Sequence, residues 1–124
     1  MSDIFEVRCD SDKQRLDIVA DQALSAEDFQ AIISAIKSNA GQLSPGFIVA
    51  VDFRGMWVED PFLNERFKLL QEALLDCGAR KIGTLLDNPA VRLRLSQQGM
   101  KTRSNEITRR FYDPDEWKKF LSQP

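Results

Sequence analysis

Phe47-Ile48-Val49-Ala50-Val51-Asp52-Phe53-Arg54-Gly55-Met56-Trp57-Val58-Glu59-Asp60-Pro61 is the stretch on which the fold turns. Its first seven residues are mostly β-branched or aromatic, with no polar alternation, and Ser44-Pro45-Gly46 sets a turn before them. Such a run predicts a central strand buried on both faces, the kind that has parallel neighbours. Asp60 as a cap, with Pro61 at the first helical position, predicts a helix starting just after the loop.

Working back towards the N-terminus, Ser25-Ala26-Glu27-Asp28 opens a helix: Ser25 can cap its first amides, and the acids suit the positive end of the dipole. Phe29, Ile32, Ile33 and Ile36 then fall on one stripe, and Gly41 with Ser44-Pro45-Gly46 ends it. Before that helix, Ile4–Cys9 and Arg15–Ala20 read as two strands of a hairpin, because Leu16 and Ile18 alternate with Arg15 and Asp17. Working forward, Phe67, Leu70, Leu74 and Cys77 repeat at helical spacing up to Gly78, a glycine suited to a helix end. Lys81–Leu86 reads as a strand, Asn88-Pro89 as the start of a helix carrying Val91 and Leu95 to Gly99, and Glu106–Phe111 as the last strand. Asp113-Pro114 starts a closing helix with Trp117, Phe120 and Leu121. The order β-β-α-β-α-β-α-β-α predicts an α/β fold: a mixed, largely parallel sheet of about five strands with four helices, joined by right-handed crossovers.

The chain has 124 residues, which at about 100–150 residues per domain predicts one domain over 1–124. Hydrophobic residues at 43% and charged residues at 29% are ordinary globular values and exclude a disordered or fibrous chain. No apolar run approaches the roughly 20 residues that span a bilayer. The opening Met1-Ser2-Asp3-Ile4 lacks the basic region of a secretory signal, so the expected location is the cytoplasm. There is no histidine, the usual base near neutral pH and the commonest metal ligand. Serine and cysteine triads and His-containing metal sites are therefore closed. Cys9 and Cys77 are too far apart for a CxxC motif and read as small hydrophobes rather than a disulfide. Residues 1–62 carry 11 acids and 5 bases, and residues 63–124 carry 8 acids and 12 bases, so a net −6 half adjoins a +4 half. Arg92, Arg94, Lys101, Arg103, Arg109 and Arg110 supply that excess. Arg109 and Arg110 are neighbours on a strand and point to opposite faces, so no nucleic-acid surface is expected. The isolated glycines form no phosphate-binding run, and no cofactor is expected.

The element order, with Val51-Asp52-Phe53-Arg54-Gly55-Met56 and Asp60 in their places, resembles the STAS family (sulphate transporter and anti-sigma factor antagonist domains). The likeness is to its SpoIIAA-like branch of stand-alone bacterial proteins, and Leu24–Phe29 and Phe111–Trp117 share it. That family has a buried strand ending in Asp-Leu-Ser-Gly-Val, then Asp-Ser-Ser-Gly opening a helix. The resemblance implies a regulatory protein-binding module, with the serine after the second Asp phosphorylated by a partner kinase. Here Pro61 and Phe62 stand at those places, and residues 59–67 contain no Ser, Thr or Tyr, so the switch is expected to be absent.

Three readings of function follow. The first is a non-enzymatic module that binds a protein partner, or a second copy of itself, through Met56, Trp57, Asp60, Phe62, Leu63 and Arg66. Large apolar side chains after a central strand suit this, because partners favour the carboxyl ends of strands and aromatic anchors. The second is a carrier of an apolar small molecule or lipid, since SpoIIAA-like proteins are similar in fold to SEC14-like lipid-binding domains. The third is an enzyme using the carboxylates of Asp52, Glu59 and Asp60, although caps and strand ends already account for Asp60 and Asp52.

Overall fold

A computed structural model describes residues 5–20, 22, 24–56, 63–87 and 108–123. Five strands form one sheet in the order β1-β2-β3-β4-β5: Phe5–Asp10, Arg15–Ala20, Phe47–Phe53, Ala79–Leu86 and Thr108–Phe111. β1 and β2 pair antiparallel, and every later pair is parallel, as the hairpin followed by βα units predicts. Helix α1 (Ala26–Ala40) connects β2 to β3, α2 (Leu63–Asp76) connects β3 to β4, and α3 (Pro114–Ser122) closes the chain. The described residues thus hold three helices against the four expected; the one predicted from Asn88 to Gly99 lies outside them. So do Arg92, Arg94, Lys101 and Arg103.

Strand β3 fulfils the reading that decided the fold. Phe47, Val49, Val51 and Phe53 face the helices α1 and α2, while Ile48 and Ala50 face α3, so β3 contributes to two cores. On the first side, Phe29, Ile32 and Ile36 of α1 and Phe67, Leu70 and Leu74 of α2 are all buried. The Phe67 ring lies 5.8 Å from both Phe29 and Phe53, edge-on to the latter at 82°, an arrangement that suits the ring quadrupoles. Helix α1 starts with the reciprocal cap its sequence promises. The Asp28 amide donates to Ser25 Oγ at 3.2 Å, and the Ser25 amide donates to Asp28 Oδ2 at 2.7 Å.

The second side is narrower. Trp117 and Leu121 of α3 pack on Ala50 and Leu85. The buried Trp117 indole Nε1–H donates to the Gly83 carbonyl at 2.9 Å, and a methyl group at Gly83 would lie 3.1 Å from Phe120 and 3.2 Å from Leu121. Lys81 Nζ donates to the carbonyls of Phe120 and Gln123 at 2.5 and 2.6 Å, a cation at the negative end of the helix, and sits 4.5 Å from the centre of the Phe120 ring. The same face over β1 and β2 carries Glu6, Arg8, Arg15 and Asp17, with ion pairs from Arg8 to Glu6 and from Arg15 to Asp17.

At the end where β3 and β4 begin, three turns hold one another. The Gly46 amide donates to the Gly78 carbonyl at 2.7 Å, and Arg80 Nε donates to the Gly46 carbonyl at 3.1 Å. Gln14 of the β1–β2 turn accepts from the Ser44 amide through its side chain at 2.7 Å and from the Ile48 amide through its own carbonyl at 3.0 Å. Its φ of 50° is left-handed. Gly78, at φ 104°, is the helix-ending glycine that the sequence predicts.

Candidate functional site

The opposite end, where β3 and β4 finish, presents the segment that carries the sequence hypothesis. After Phe53 the backbone reverses: the Met56 amide donates to the Phe53 carbonyl at 3.1 Å, and Gly55, third in this four-residue turn, has φ 77°. A left-handed third position is where a turn of this kind requires glycine. The reversal sends Met56 back into the protein, where its side chain is fully buried in the α1/α2 core. Met56 was expected on the binding patch and is instead core. Its role is to anchor the loop, and the signal for that was the glycine just before it.

Arg54 and Asp52 form the charged element of this end. Asp52 lies at the end of the strand and Arg54 in the reversal just after it, two residues apart. Arg54 Nε donates to Asp52 Oδ1 at 3.0 Å and Nη2 donates to Oδ2 at 2.8 Å, a two-pronged pair, while the Arg54 amide donates to Oδ1 at 3.2 Å. Burial pushes the Asp52 carboxyl upward, but the Arg54 hydrogen bonds and charge outweigh it and hold it below the ordinary carboxylate value. Asp52 also raises the Arg54 guanidinium further. Half of the Arg54 side chain stays open to solvent, against 19% of Asp52. Next to this pair, Asp87 at the end of β4 accepts the Gly55 amide at 2.6 Å. That bond ties the loop after β3 to the neighbouring strand. Arg54 and Asp87 were not singled out from the sequence, although the opposite charges at 52 and 54 were a readable cue.

Of the three carboxylates expected for acid–base chemistry, the structure describes Asp52 alone. Asp52 is ionised and occupied, and among the described residues no group of three acidic, cysteine or histidine side chains could hold a metal. Glu59 and Asp60 lie outside the described residues, as do Trp57 and Phe62. Both cysteines are free and half-buried, and burial pushes the Cys77 thiol up, away from an activated thiolate.

Of the remaining expected site residues, Leu63 opens α2 and Arg66 lies in its first turns, half-buried. Phe67 beside it points inward and fixes the helix against Phe53 and Phe29. The outward side of α2 carries a residue the sequence reading missed. Leu69, three positions after Arg66, is 52% exposed. Its signal was its place off the buried stripe of Phe67, Leu70 and Leu74. Two hollows open at the surface elsewhere. One, of about 320 Å³, lies by Arg109, Phe111, Lys119 and Phe120, and the other, of about 490 Å³, by Arg8, Asp10 and Asp17. Neither adjoins Met56 or α2.

No family model matches the chain, and no curated protein matches it in sequence. In three dimensions it is similar to the Bacillus cell fate determinant SpoIIAA, solved in its phosphorylated form, with a TM-score of 0.59. The likeness covers 93% of this chain and 97% of that one at 12% identity. The chain therefore has a SpoIIAA-like fold, and its five-stranded mixed sheet is the expected one. Among the described residues, no helix is long and apolar enough to cross a membrane.

Proposed function

We propose that this protein is a non-enzymatic regulatory module that binds a protein partner through the loop after β3 and the outward side of α2. The observation that carries this reading is Leu69, a large apolar side chain half open to solvent on a helix otherwise lined outward by Glu65, Lys68 and Asp76. A large apolar side chain standing among charged ones offers a partner apolar area to remove from water. The SpoIIAA-like fold supports the same end of the sheet as the working end, since ligands of open α/β sheets gather at the carboxyl ends of strands. Trp57, Asp60, Phe62, Leu63 and Arg66 belong to this proposed surface, with Leu69 added and Met56 removed from it.

Binding here is not gated by phosphate on the segment from Glu59 to Phe67, which has no hydroxyl to accept one. Met56 anchored in the core and the Gly55 amide held by Asp87 fix the start of the loop after β3.

The test is quantitative co-purification from the native cell with Leu69→Glu. Leu69 is exposed, so the variant keeps its fold, and the expected outcome is at least a tenfold loss of the specifically bound protein. An unchanged set of bound proteins, with an unchanged circular dichroism spectrum, sinks the reading.

A further inference from the structure

We propose that β1 is a self-association edge, pairing antiparallel with β1 of a second copy about a twofold axis through Val7, so that two five-stranded sheets become one. This surface is separate from the proposed partner surface on α2.

Strand β1 ends the sheet, and β2 is its one strand neighbour among the described residues. It is six residues long, has no proline and pairs with β2 in unbroken register from Phe5 to Asp10, without a bulge. An end strand of that length leaves a row of outward amides and carbonyls ready to pair with another strand. The other end strand is protected. β5 has four residues, and Arg109 and Arg110 at its centre repel any copy of themselves brought opposite.

The charges on β1 select both the occupant and the register. Twofold pairing that keeps the core side of one sheet continuous with that of the next must place each residue opposite one of the same parity, because side chains alternate between faces. The axis must then pass through a residue. On Arg8 it sets Arg8 against Arg8 and Glu6 against Asp10, so every charged pair is repulsive. On Cys9 it leaves only residues 8–10 of the strand overlapping. On Val7 it sets Glu6 against Arg8 twice, Phe5 against Cys9 twice and Val7 against itself, with residues 5–9 all paired. Opposite charges across strands attract, and like charges destabilise. Glu6 and Arg8 are 57% and 66% exposed, their present contact being a single 3.2 Å ion pair, so both side chains are available to turn to a neighbour. A five-residue strand pairing is a small interface, of the size class that forms weak and reversible complexes.

The experiment is sedimentation equilibrium over a concentration series with the full chain, using the wild type, Glu6→Arg, Arg8→Glu, and the two variants mixed in equal amounts. The wild type is expected to associate to a dimer, and each variant alone, which faces two like-charged pairs, to associate roughly tenfold more weakly. The mixture sets arginines opposite glutamates and is expected to recover wild-type association, a recovery that misfolded variants cannot give. Leu69→Glu, on the other surface, is expected to dimerise as the wild type does. A wild type that stays monomeric throughout overturns the proposal and leaves the edge to solvent or to a strand of another protein. Variants that self-associate undiminished, or a mixture that does not recover, overturn it equally.

Discussion

Among the described residues, two helices cover one face of the sheet, and one nine-residue helix covers part of the other. Under α1 and α2 the contacts are almost wholly apolar, with three phenylalanine rings meeting and Met56 folded in from the loop. Under α3 the apolar cluster is small, and position is set by particular atoms: the Trp117 indole on the Gly83 carbonyl, Lys81 on the helix end, and side chains pressed close to a glycine. The first face draws its stability from area removed from water, which tolerates modest change in shape. The second depends on directional bonds and close fit, which do not.

Three substitutions sharpen or break that contrast. The largest effect is expected from Phe29→Ala on the apolar face. Losing a fully buried ring next to Phe67 should cost about 3–5 kcal/mol, read as a lower urea midpoint at unchanged slope. A loss under about 1 kcal/mol would mean that this face is not the main reservoir of stability. Gly83→Ala on the other face should cost about 1–3 kcal/mol by overpacking although it adds a single methyl. Its signature is local: the Trp117 indole proton should exchange faster while the Phe29 and Phe67 environments stay as they are in NMR spectra. Uniform change across both faces would show that the two are one cooperative layer.

The smallest effect belongs to Arg54→Ala at the rim, where a half-exposed pair contributes no more than about 1 kcal/mol. Because the Asp52 carboxyl is held below its ordinary value of 3.8, the wild-type contribution is present above that value and is lost as pH falls through the lower, folded one. Without the guanidinium, the hydrogen bond from the residue-54 amide alone opposes burial, and the carboxyl should titrate higher than in the wild type, which an NMR titration of Asp52 would show. A titration unmoved by the substitution would exclude Arg54 as its controlling neighbour.

The fold was legible from the chain because its signals are local. Ser25 with Asp28, Asp113 with Pro114, and Gly78 after Cys77 mark helix ends by chemistry that needs no tertiary partner, and the Phe47–Phe53 run announces a strand buried twice. What escaped sequence reading depends on residues distant in the chain. Met56 is apolar in a loop, equally suited to a surface patch or to the core, and only the reversal at Gly55 decides for the core. Lys81 finds its acceptors 39 and 42 positions away, and Asp87 reaches back 32 to the Gly55 amide. Gly83 shows no turn signal, because its smallness serves the approach of α3 and not a backbone angle. Leu69 was hidden among the leucines of its own helix.

The interlocked turns at the other end of the sheet have a consequence for the order in which the molecule opens. Gln14 holds the segment before β3 by its side chain and the start of β3 by its carbonyl, and Gly46 meets both Gly78 and Arg80. None of those turns can fray alone, since releasing one strands the hydrogen-bonding groups of another. Amides along this seam are therefore expected to exchange with solvent only in large, concerted openings.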